Sequence, residues 1–70
     1  MKRGAEFANS SYLRKADYDP ETMVMSVTFN DGTTVDYSGV PLQTFASLER
    51  APSAGQFFHR HVKGRYNVAG

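Results

Sequence analysis

Residues 59–66 read His-Arg-His-Val-Lys-Gly-Arg-Tyr, which puts two imidazoles, three cations and a phenol into one short stretch. If the segment is helical, His59, Arg60 and Lys63 share a face, with Arg65 and Tyr66 just beyond its end. Cations spaced along a surface are what phosphate contacts need, and each contact adds salt dependence to binding. Recognition of single-stranded RNA also calls for an aromatic ring on which a base can stack. Tyr12, Tyr66 and whichever of Phe57 and Phe58 is less buried are the candidates. The set His59, Arg60, Lys63, Arg65 and Tyr66 is therefore the expected nucleic-acid contact. The same cations have a second use without any ligand. Near a helix C-terminus each stabilises the dipole by ~0.3–1 kcal/mol. A pI near 8.1 also falls below the strongly basic footprint of a dedicated binder.

Other chemistries find less support. No cysteine supplies a nucleophile or a thiolate ligand. "GTTVDYSG" places Gly32 and Gly39 too far apart for a phosphate loop, and no lysine follows. His59 and His61 diverge by about 200° on a helix and cannot share a metal without ligands from elsewhere. His59 is expected in solvent and His61 half-buried at the edge of an apolar stripe. Asp17 and Asp19 could be posed as acid and base, but beside Pro20 they read as turn residues. No catalytic residue, metal or cofactor is expected.

The elements that carry these side chains can be read from periodicity. Residues 1–9 look like a flexible arm. Tyr12 to Tyr18 suits a strand that ends at "DPET". In "TMVMSVTF", Met23, Met25, Val27 and Phe29 alternate with Thr22, Val24, Ser26 and Thr28, the pattern of a strand with one buried and one wet face. "NDG" turns the chain, with Gly32 supplying a positive φ, and "TTVDY" continues the alternation through Val35 and Tyr37. After "SGVP" the period becomes helical: Leu42, Phe45, Ala46 and Leu48 follow Pro41 in the first turn. Ser53 then fits an N-cap, with Gln56 completing a capping box. Ala54, Phe57, Phe58, His61 and Val62 form an apolar stripe, and Gly64 marks the end.

One oily sheet face needs a cover and two striped helices need a floor. The expected architecture is α+β: a three-stranded antiparallel meander covered on one face by two short C-terminal helices, β-β-β-α-α. The core expected is Met25, Val27, Phe29, Val35, Tyr37, Phe45, Leu48, Phe58 and Val62. The wet sheet face, with Val24, Thr28 and Thr34, and two open sheet edges form an alternative docking surface for a protein.

Seventy residues make one domain at most, burying ~60% of the surface exposed on unfolding. A monomer and a homodimer both fit, since chains this short commonly gain stability by pairing. Net charge is +1 but unevenly placed: +3 over residues 1–15, −6 over 16–49 and +4 over 50–70. That segregation suits a partner-facing surface. It suits better basic ends folded back over an acidic middle, since surface charges on a small domain need no partner. No apolar run reaches the ~18 residues of a membrane span, and "MKRGAEFANSS" has no apolar stretch of a secretory signal. The compartment expected is the cytoplasm.

The order of small motifs resembles one family. Ser10-Ser11, Tyr18-Asp19, Phe29, Asp31-Gly32, Tyr37, Gly39-Val40-Pro41, Ser53, Gly55, Phe57-Phe58 and Tyr66 follow the pattern of the KTSC domain. That domain occurs at the C-terminus of some lysyl-tRNA synthetases and as a short free-standing bacterial or phage protein. The resemblance covers roughly residues 10–66, leaving 1–9 as an arm and 67–70 as a tail. It departs at "VDY", where Val35 stands in place of the first of the family's central pair of tyrosines. By association with the synthetase, the resemblance implies a small non-catalytic module that binds RNA. The alternative is an adaptor or inhibitor docking on a partner enzyme.

Overall fold

The computed structural model describes residues 3–8 and 10–69. Seven elements follow in the order β1 (Arg3–Glu6), β2 (Leu13–Asp19), β3 (Val24–Phe29), β4 (Thr34–Ser38), α1 (Leu42–Arg50), α2 (Ala54–His61) and β5 (Asn67–Ala69). The strands make one sheet in the order β1-β2-β3-β4-β5, each antiparallel to its neighbour. The two helices cover one face, giving the two-layer α+β arrangement expected. The strand count is corrected from three to five. Residues 3–6, expected as an arm, pair with β2, and residues 67–69, expected as a tail, pair with β4. Neither has the alternation that reveals a strand: β1 turns only Ala5 into the core, and Val68 on β5 is 64% exposed.

Alternation does govern β3 and β4. Met25 and Val27 are fully buried, opposite Tyr37 and Val35 respectively, so the inward face runs across both strands. Phe45, Leu48 and Phe58 from the helices, with Val62 just past α2, close over them, all at 0–1% exposure. Phe29 and Val35, expected in the core, are half-buried and pack against its edge. Strand β2 contributes more than a simple alternation allows. A register shift between Leu13 and Lys15 leaves Arg14 as an extra residue, so Leu13, Ala16 and Tyr18 all face inward.

The β2–β3 turn corrects Met23. It was expected on the inward stripe, but it lies before the strand at φ +59° and is 40% exposed. Its N–H bonds the Asp19 carbonyl at 2.8 Å, and its own carbonyl accepts from the Val40 N–H at 2.9 Å. A left-handed residue closes this turn, and a side chain there costs about 1 kcal/mol or more. Met23→Gly is expected to stabilise the protein by about 0.5–1 kcal/mol, after allowing for some lost packing. A urea titration showing destabilisation instead would mean the methionine's contacts outweigh the backbone strain.

Pairing fixes which side chains occupy the other face of the sheet. Glu6 and Lys15, Asp17 and Ser26, Asp19 and Val24, Ser26 and Asp36, and Thr28 and Thr34 are directly opposed. No described helix lies on this face. It is therefore acidic and built of small side chains, while the basic C-terminal segment lies in the helical layer. No described helix is long and apolar enough to cross a membrane.

Candidate nucleic-acid interface

Helix α2 carries the expected contact residues, and its start is fixed locally. Ser53 is the N-cap, its hydroxyl accepting from the Gln56 N–H at 3.4 Å. The helix ends at His61, and a turn closed by the Arg65 N–H on the Val62 carbonyl at 3.1 Å follows. Gly64, at φ +80°, sits in that turn, three residues past the last helical residue. Phe58 and Val62 anchor the segment in the core, which leaves His59, Arg60, His61, Lys63 and Arg65 exposed.

The exposed groups are split around the helix instead of forming one row. His59 stacks on Tyr12 with ring centroids 4.8 Å apart and planes inclined by 15°. His61 lies on the opposite side, 4.7 Å from the Phe57 ring. It was expected half-buried on the apolar stripe and is exposed, because Phe57 is the outer, half-buried phenylalanine and His61 rests on its solvent side. Arg65 and Tyr66 belong with His61 in a shallow depression between α1 and α2 that Thr44 also lines. Tyr66 is half-buried, and its hydroxyl shares a hydrogen bond of 3.0 Å with Thr44 Oγ1, an arrangement that ties the bend before β5 to α1. Arg60 and Lys63 project into solvent at the tip.

Tyr12 is the link that sequence spacing could not supply. It lies just before β2, yet its ring contacts Phe29 at 5.0 Å, Phe58 at 5.9 Å and His59 at 4.8 Å. An aromatic chain thus runs from the buried Phe58 out to an exposed imidazole. Phe58 also meets Tyr37 at 5.6 Å. Burial, then the nearby charge of Tyr12, raises the Tyr37 hydroxyl above its ordinary range. Beside the Tyr12–His59 stack an open groove runs between the loop before β2 and the α1–α2 junction, lined in part by Ser10, Ser11, Ser53, Gly55 and Gln56. The Ser10 hydroxyl accepts from the N–H groups of Tyr12 at 3.1 Å and Leu13 at 3.0 Å, which fixes that loop. Ser10 and Gly55 were legible only as parts of a family pattern.

On the other face, Val24, Thr28 and Thr34 lie where the alternation put them. Thr28 and Thr34 share a hydroxyl hydrogen bond of 3.1 Å, and Val24 is half-buried opposite Asp19. Among the described residues, no three His, Cys, Asp or Glu side chains are grouped to hold a metal ion.

A model of the KTSC domain matches residues 9–66. The chain is 36% identical over 56 residues to a lysine–tRNA ligase of a Nostoc species, a match covering 80% of this chain and 10% of that protein. A lysine–tRNA ligase of Trichormus variabilis matches at 34% over the same length and the same shares. The chain thus spans about a tenth of the length of these ligases. An uncharacterized protein of Stutzerimonas stutzeri is 36% identical over 66 residues, covering 94% of this chain and 90% of that one. The crystal structure of a KTSC domain protein from Yersinia pestis superposes with a TM-score of 0.89 at 26% identity, covering 99% of this chain and 96% of that one. With the family model spanning nearly the whole fold and that fold matched in a solved member, this chain belongs to the KTSC domain family.

Proposed function

We propose that the protein is a small non-catalytic module that grips single-stranded RNA with the tip and one side of α2. The observation that carries this reading is the pair of exposed cations Arg60 and Lys63 at the tip of the helix that carries His59, an exposed imidazole stacked on Tyr12. Cations for phosphate and a ring for a base are the two parts such binding combines. The matches to lysine–tRNA ligases support the RNA partner by association. Arg65 and Tyr66 take a lesser part, because they face the depression around His61 and the Tyr66 hydroxyl is engaged by Thr44. The absence of cysteine suits work in a reducing cytoplasm.

The test is the anisotropy of a labelled RNA strand titrated at several salt concentrations. Affinity is expected to fall steeply with salt. Arg60→Ala/Lys63→Ala is expected to weaken it about tenfold or more and to reduce the salt slope by about two phosphate contacts. Unchanged affinity in that double variant would defeat the reading.

A second reading, an adaptor docking through the sheet, is favoured by the uncovered acidic face around Val24, Thr28 and Thr34. In a pull-down with and without nuclease, it requires capture of one protein that survives nuclease and Arg60→Ala/Lys63→Ala, and is lost in Val24→Glu.

A further inference from the structure

The groove beside the Tyr12–His59 stack has features that neither the fold nor phosphate binding requires. The first is Gly55. It occupies the first turn of α2, where alanine is the better helix former by about 1 kcal/mol. Its backbone is not in the left-handed region, and a Cβ there would meet Tyr12 Cβ at 3.5 Å and Ser10 Oγ at 3.8 Å, ordinary van der Waals distances. An alanine fits, so no turn and no tight packing demands glycine at this position. What glycine does is keep the groove floor low next to the ring stack.

The second is the stack itself. His59 is exposed, yet its ring lies nearly parallel to Tyr12, which is in turn backed by Phe29 and Phe58. A surface imidazole supported from behind by three aromatic rings offers a rigid, flat, half-wet face. The third is the polarity of the walls. Ser11, Ser53 and Gln56 offer hydroxyl and amide groups, while Glu6 and Glu49 also line the groove. Those carboxylates repel a phosphate but accept hydrogen bonds from the amino and imino groups of a base edge.

We infer that this groove receives one unpaired nucleobase, which stacks on the His59 ring and passes over the Gly55 backbone. The strand's phosphates then lie outside the groove, toward Arg60 and Lys63. This deepens the proposed function and rests on it, adding a place where the base of the RNA is held apart from its backbone. A paired base cannot enter, because its edge and both faces are already used in the duplex.

The experiment uses the whole chain with a labelled single-stranded RNA oligonucleotide and, separately, the same strand annealed to its complement. Single-stranded RNA is expected to bind about tenfold or more tightly than the duplex. His59→Ala is expected to weaken single-strand binding about tenfold, and His59→Phe, which keeps a ring, to restore it. Gly55→Ala is expected to weaken binding at least about threefold, with a melting temperature no lower than the parent's and an unchanged salt slope. Equal affinity for duplex, or His59→Ala and Gly55→Ala both within about twofold of the parent, overturns the base pocket. If Arg60→Ala/Lys63→Ala still abolishes binding in that case, the phosphate-gripping tip stands without it. If the parent chain binds neither RNA, the proposed function falls and takes the pocket with it.

Discussion

Phe58→Ala is expected to remove about half of the protein's folding stability. Phe58 is 1% exposed, and its ring joins Tyr12, Phe29 and Tyr37 at centroid distances of 5.9, 5.4 and 5.6 Å. It is therefore the point at which α2 is fastened to the sheet. Truncating a buried phenylalanine to alanine costs ~3–5 kcal/mol, through lost transfer energy and the cavity left behind. A domain of this length has roughly 4–10 kcal/mol in total. The loss is about half of the whole. Phe58→Leu, which refills most of the space, is expected to cost only about 1–2 kcal/mol. Thermal melts followed by circular dichroism check the pair. An alanine variant melting within a few degrees of the parent would show that the helical layer is held by other contacts.

Tyr18→Phe is the second large effect, and it probes a polar contact within the apolar core. Tyr18 is 1% exposed, and its hydroxyl donates to the Val40 carbonyl at 2.7 Å. Its ring lies parallel to Phe45 at 5.3 Å. Removing the hydroxyl keeps the packing but strands a buried carbonyl, at a cost of ~1–3 kcal/mol. In a chain this small each kcal/mol moves the melting temperature by ~4–8 °C. The same group gives the stability an alkaline limit. Burial, and secondarily the charge of Asp19, holds the Tyr18 phenol above its ordinary value of 10.0, and burial does the same at Tyr37. Above that value the unfolded chain releases these protons while the folded chain keeps them. Stability is therefore independent of these groups below about pH 10 and falls as pH rises beyond it. Tyr18→Phe is expected to start less stable and to lose less between neutral pH and pH 11. Parallel loss in both proteins would shift the alkaline effect onto other groups.

Strict alternation in the sequence identified β3 and its inward Met25 and Val27, because a two-residue period is hard to produce by accident and a buried face enforces it. The helices were legible for the same reason at a longer period, with Ser53 marking a start that the hydrogen bond to Gln56 confirms. What escaped had no period to read. Arg3–Glu6 and Asn67–Ala69 are held by ladder hydrogen bonds to β2 and β4, and backbone pairing leaves no trace in side-chain type. The bulge at Arg14 shifted β2 by one residue and brought Leu13 inward, where simple alternation would have put Tyr12. Met23 was assigned to the strand because nothing in a methionine signals a left-handed turn. At the proposed interface, the cations were legible from the sequence alone. The Tyr12–His59 stack was not, because it joins residues far apart in sequence through the closure of α2 over β2. Gly55 carried no meaning until Tyr12 and Ser10 stood beside it.

The strand order of the sheet repeats the order of the chain, and this bears on how quickly the molecule assembles. Every ladder joins strands that are consecutive along the chain, so the first four can zip up through short-range hairpins with little entropy lost to loop closure. Only the last ladder spans a long detour, through both helices, before Asn67 meets Ser38. The terminal strand is therefore expected to dock late, as a latch on a body already formed.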